Sequence, residues 1–140
     1  MFTPYLDDKI MGIPVLKLVF EDPFTDEDMK KVLALISKFL EKKKLFCLYV
    51  DIRKANRPPR DAAIMLIQWM KENKPLFKQY LICSAVILNN STTNIVIKNL
   101  LTGAFKIQPP AAPNKIFTNF DKGILWISDK IKEKVSKVIE

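Results

Sequence analysis

The sequence predicts an α/β fold in which a mixed, mostly parallel sheet of four to five strands carries about four helices packed against it. Three observations predict it. The run Leu45-Phe46-Cys47-Leu48-Tyr49-Val50 is apolar without interruption and Leu81 to Leu88 is broken only by Ser84, as in strands covered on both faces. Segments around them repeat their apolar residues at helical spacing. Strands and helices alternate along the chain, the order expected of parallel strands joined by helical crossovers. With 140 residues, 49% of them hydrophobic, the chain fits a single domain over residues 1–140 that can bury a sizeable core.

The elements follow in order. Lys9 to Phe20 reads as one strand or a short hairpin, with Pro14 favouring an edge or a strand start. Thr25 is placed to cap a helix, with Asp28 three residues on completing a capping box and Phe24 and Met29 forming a hydrophobic staple. Met29, Val32, Leu33, Ile36, Phe39 and Leu40 share one face of that helix. Asp26, Glu27 and Asp28 complement its dipole at one end, and Lys42, Lys43 and Lys44 at the other, so the acidic start is helix chemistry rather than a metal site. The central strand ends at Asp51 and passes into a turn over 52–60.

A second helix begins near Asp61. Ala63, Leu66, Ile67 and Met70 hold its period, with Ala62, Met65 and Trp69 beside them, and it stops around Asn73 because Pro75 disfavours helix at Lys74. After the strand at 81–88, one of Ser91, Thr92 and Thr93 caps a shorter helix carrying Ile95, Val96, Leu100 and Leu101. Residues 108–114, rich in proline, form an extended connector. A short strand at 115–118 precedes a last helix capped by Asp121, with Ile124, Ile127, Ile131, Val135 and Val138 at helical spacing and an outer face rich in lysine.

Composition narrows the function. The chain has no histidine, which removes catalysis by Ser-His-Asp or Cys-His. Without histidine or a Cys-x-x-Cys pair, no zinc site is expected, and no cofactor is predicted. Cys47 and Cys83 both lie in apolar runs and read as buried small hydrophobes on strands that can be neighbours. No apolar stretch reaches the roughly 20 residues that span a bilayer, and the first residues lack the pattern of a signal peptide. The expected location is intracellular, in the cytoplasm. Net charge is +8, unevenly spread: residues 1–29 hold seven acids against two lysines, and 73–120 hold no acid at all. Such asymmetry predicts an anionic partner surface or a dispersed, solvated lysine surface.

The candidate contact surface is the turn after the central strand and the helix that follows, with Arg53, Lys54, Arg57, Arg60, Asp61 and Trp69 as its residues. Loops at the carboxyl ends of strands are the habitual binding place in open α/β sheets, and arginine and tryptophan are frequent interface anchors. Trp69 can equally pack into the helix–sheet core. The favoured partner is another protein with an acidic surface. The alternative is a basic anion-binding domain for RNA, a nucleotide or an anionic lipid headgroup, using Arg53, Arg57 and Arg60 at the amino end of the second helix. An enzyme would have to use Asp51 and Asp61 as acid and base, although both have ordinary structural explanations.

Three stretches resemble the STAS superfamily, and within it the small SpoIIAA-like group of anti-sigma factor antagonists. They are the strand Phe46 to Asp51, the helix start at Asp61, and Asp121-Lys122-Gly123-Ile124-Leu125-Trp126-Ile127 in the last helix. The resemblance spans roughly residues 10 to 132 by pattern. It implies a non-enzymatic module that binds another protein, serving as a scaffold or as a subunit of a larger assembly. It also implies that Asp61 matches the aspartate preceding that family's regulatory serine, with Ala62 in the serine's place. An alanine cannot accept a phosphate, so the phosphorylation switch does not carry over.

Overall fold

The computed structural model describes residues 2–5, 9–55, 60–89 and 112–139. Strands β1 (Phe2–Tyr5), β2 (Lys9–Ile10) and β3 (Ile13–Glu21) come first, then helix α1 (Asp26–Glu41) and strand β4 (Phe46–Lys54). Helices α2 (Arg60–Glu72) and α3 (Lys74–Tyr80) lead to strand β5 (Leu81–Ile87), and strand β6 (Asn114–Phe117) precedes helix α4 (Phe120–Ile139). The sheet order is β1-β3-β4-β5-β6, with β2 paired to the start of β3. The three pairings from β3 to β6 are parallel, and only β1 and β2 pair antiparallel. Residues 46–50 are therefore central, since β4 has a strand on each side, and Leu45 immediately precedes it.

Side-chain alternation along the strands divides the core into two layers. Leu16 and Leu18 of β3 and Phe46 and Leu48 of β4 face α1 and α3, meeting Val32, Ile36, Phe39, Leu40 and Phe77. Val15, Cys47, Tyr49, Cys83, Ala85 and Ile87 face the other way, against Ile127 and Ile131 of α4. Helix α2 leans on α1 rather than on the sheet, through Met65, Leu66 and Trp69 against Met29 and Leu33. The result is a sheet sandwiched between helices.

Local chemistry explains most element ends. The predicted capping box is complete: the Thr25 hydroxyl accepts from the Asp28 backbone N–H, and the Asp28 carboxylate accepts from Thr25 N–H at 3.0 Å. Phe24 packs with Met29, closing the staple. The hairpin between β2 and β3 turns on Met11 and Gly12, both at positive φ (53° and 80°), as two-residue turns that match strand twist require.

Several expectations need correction. Strand β1 was unforeseen; Pro4 sits in an edge strand, where a missing N–H costs no ladder bond. Pro75 does end α2, but it also opens α3 within the first two positions, where the absent N–H would have no partner anyway. Asn73 joins the two helices: its side-chain amide donates to the Trp69 carbonyl at 2.9 Å, and its own carbonyl accepts from Phe77 N–H. The last helix is capped by Asn119, whose Oδ1 accepts from Lys122 N–H at 3.1 Å. Asp121 lies inside the first turn, so it complements the dipole instead of capping. The helix expected after Ser91 and most of the 108–114 connector lie outside the described residues.

Gly123 fixes how α4 seats on the sheet. A Cβ at this position would stand 2.8 Å from Ile87 Cδ1 and 3.3 Å from Tyr49 Cε2, closer than carbon atoms pack. The helix can approach β4 and β5 this closely only because the side chain is missing. One turn earlier, Phe120 comes to rest beside Tyr49, with ring centroids 5.2 Å apart.

Candidate functional site

Strand β4 continues past Asp51 to Lys54, so Arg53 and Lys54 are strand residues and not part of the turn where they were expected. The period of two explains the extension: Asp51 and Arg53 point to the same face and bond each other. Arg53 donates from Nε to Asp51 Oδ1 at 3.0 Å and from a terminal nitrogen to Oδ2 at 2.7 Å, and its backbone N–H adds a third bond at 3.0 Å. Asn89 then donates to the Arg53 carbonyl at 2.7 Å, tying the segment after β5 to the end of β4. Lys54 is exposed and stands in register with Glu21 of β3, beyond a bulge that shifts the pairing.

Electrostatics at this strand end follow from burial and pairing. Asp51 is 8% exposed. Burial alone would raise its carboxyl pKa, but the side-chain and backbone bonds from Arg53 outweigh that and hold it below the ordinary carboxylate range. Asp51 is thus ionised at neutral pH, with both oxygens occupied. Tyr49, beneath it, is pushed well above the usual phenol range, first by burial and then by the Asp51 charge. Its hydroxyl donates to the Phe120 carbonyl at 3.4 Å. Two cations stand near the Phe120 ring, with Lys17 Nζ 5.2 Å and the Arg53 guanidinium 5.9 Å from its centroid.

Asp61 and Trp69 are not gathered around this pair. Asp61 is exposed in the first turn of α2, which packs on α1 across the sheet from α4. Asp51 and Asp61 therefore stand on opposite sides of the sheet, and no acid–base couple forms between them. Trp69 turns inward: it is half-buried, with its ring edge-on to Phe77 at 5.2 Å. Arg60 begins α2, its side chain lying outside the described set, and Arg57 lies outside the described residues altogether. Along the outer ridge of α2, Asp61, Ile64, Gln68 and Lys71 are exposed, and Ile64 is 44% exposed.

Cys47 and Cys83 are neighbours on β4 and β5, with sulfur atoms 3.7 Å apart, both free and buried. The hydrogen bond with Cys83 and burial together push the Cys47 thiol far up, out of the reactive range. They pack as core residues. Among the described residues, no helix is long and apolar enough to cross a membrane.

Sequence reasoning missed the Asp51–Arg53 pair, although the signal was present, since an acid and an arginine two apart on a strand share a face. It also missed Phe120, because the clustering of Lys17, Tyr49 and Arg53 around that ring depends on non-local pairing.

No family model matches the chain, and no curated protein matches it. A structural neighbour does. The crystal structure of an uncharacterized protein of the DUF3478 family from Shewanella loihica PV-4, described as having a SpoIIAA-like fold, superposes with a TM-score of 0.62. The match covers 89% of this chain and 92% of that one at 15% sequence identity. The fold is SpoIIAA-like. At that identity the likeness is one of architecture, and the SpoIIAA-like arrangement accounts for the mostly parallel sheet and the helices on its two faces.

Proposed function

We propose that this SpoIIAA-like chain is a non-catalytic module that binds another protein, acting as a scaffold or as a subunit of a larger assembly. Its contact surface runs from the end of β4 through the turn to the outer ridge of α2. The observation that carries the reading is the exposed ridge of α2, where Ile64 lies one turn beyond Asp61 in an otherwise polar stripe. Lys54 is exposed at the end of β4, and the sequence adds Arg57 and Arg60 before Asp61, a positive charge suited to an acidic partner surface. Trp69 supports the ridge from behind, because its packing on α1 and α3 fixes the helix that presents Ile64 and Asp61.

Two further observations support a binding role over catalysis. The chain has no histidine, and its best-placed carboxylate, Asp51, is held ionised by Arg53 on the far face from Asp61. The same pairing weakens the alternative of an anion site on the turn, since Arg53 is already committed.

Affinity capture from the native source tests the proposal, comparing the natural chain with Arg57→Ala/Arg60→Ala and with Ile64→Asp. Loss of the same captured protein in both variants, at unchanged thermal stability, is the expected result. Equal capture by both variants overturns this surface as the contact site.

A further inference from the structure

At the opposite end of the sheet from Arg53, a depression of about 240 Å³ opens beside the start of β5. Lys78 of α3 borders it on one side, and Lys130, Lys134 and Lys137 of α4 border it on the other, with Glu133 among them. Leu81, Ile82, Ala112 and Pro113 complete its lining. Glu133 pairs with Lys130 at 3.5 Å, whereas Lys78, Lys134 and Lys137 make no ion pair with any described residue. Each of Lys78 and Lys137 falls in the last turn of its own helix, where a cation complements the dipole. That effect does not account for their meeting Lys130 and Lys134 around one concave site. Lys130, Lys134 and Lys137 form one ridge of α4 by helical spacing, and Lys78 closes the opposite wall from a separate element.

We propose that this depression binds a compact anion carrying two or more phosphate groups. Among the described residues that line it, four lysines and one glutamate leave an excess of three positive charges, which two phosphate groups of about −1.5 to −2 each can balance. Carboxylates would need three or more groups in the same space. The volume is below the roughly 300–1,000 Å³ of pockets that hold drug-sized ligands, so the ligand is small. Lysine engages phosphate as a point charge without demanding a fixed fork geometry. A soluble polyphosphate compound and a lipid headgroup bearing two phosphates share this chemistry. The site is distinct from the α2 ridge and stands or falls independently of it.

The test is calorimetric titration of inorganic tripolyphosphate at matched ionic strength, on the natural chain and on Lys78→Gln/Lys134→Gln/Lys137→Gln. A second variant, Lys122→Gln/Lys132→Gln, removes two lysines of α4 that do not line the depression. The expected result is saturable binding, weakened at least tenfold by the triple variant and unchanged by the control. Absence of saturable binding, or equal weakening in both variants, overturns the proposal. In a parallel arm, the chain is sedimented with vesicles containing phosphatidylinositol 4,5-bisphosphate. Retention displaced by tripolyphosphate assigns a headgroup, and tripolyphosphate binding without retention assigns a soluble ligand; both uphold the site.

Discussion

Replacing Gly123 by alanine tests how α4 is seated, and two physical effects pull it in opposite directions. In an exposed helix interior the change would stabilise by about 0.8–1 kcal/mol, because alanine restricts the unfolded chain and glycine does not. Here the new methyl would meet Ile87 Cδ1 at 2.8 Å, about 0.7 Å inside the lower limit of favourable carbon contact. Rotation of Ile87 gives little relief, since its side chain is fully buried and the Tyr49 ring stands 3.3 Å from the same point. Overpacking of this kind costs about 1–3 kcal/mol, so the net effect is a loss of about 1 kcal/mol, or roughly 3–4 °C in Tm for a chain of this length. Urea unfolding of Gly123→Ala measures it. Ile87→Val removes the offending methyl; alone it costs about 1 kcal/mol, but in the Gly123→Ala background it should cost much less. Stabilisation of the single Gly123→Ala variant by about 1 kcal/mol would refute the close approach, and additive effects in the pair would refute the contact with Ile87.

Other outcomes follow from the same structure. Arg53→Ala leaves the Asp51 carboxylate buried with only a backbone donor; because the guanidinium is 42% exposed its loss is discounted to about 1–2 kcal/mol. Asp51 has a depressed pKa when folded, so its contribution is full above its unfolded pKa of about 4 and fades as pH falls through the folded value. The natural chain should therefore lose its advantage over Arg53→Ala in acid, as read by urea midpoints between pH 3 and 7; an undiminished advantage at pH 3 contradicts the pairing. Met11 and Lys43 hold positive φ without being glycine. Met11→Gly and Lys43→Gly should each raise stability, by about 0.5–1 kcal/mol in thermal unfolding, and a loss at either site would contradict the turn geometry. Cys47 and Cys83 should react with a thiol reagent such as dithionitrobenzoate only as fast as the chain unfolds; rapid labelling in native buffer would show them accessible.

Much of the fold could be read from the chain wherever local chemistry and the global arrangement agree. The apolar run at 45–50 admits little but a central strand, and Thr25 with Asp28 announces α1 because capping is decided within four residues. Strand β1 was illegible because four residues with a proline carry almost no periodicity, and they become a strand only by pairing with β3. Helix α3 was hidden by Pro75, which both stops one helix and starts the next. At the candidate site, Arg53 and Lys54 were expected in the turn but extend β4, because strand pairing with β3 and β5 is non-local, and the inward turn of Trp69 was one of two readings left open. The lysine depression was beyond reach: Lys130, Lys134 and Lys137 could be placed on one ridge, but nothing local brings Lys78 to face them.

The account rests most heavily on the α2 ridge as the place where another protein docks. Hydrogen exchange on the captured complex measures this directly, comparing each backbone amide in the free and bound chain. Slowed exchange confined to the end of β4, residues 55–60 and the outer turns of α2 is the result the account predicts. Unchanged exchange there, with protection on α4 or along β1, would contradict it.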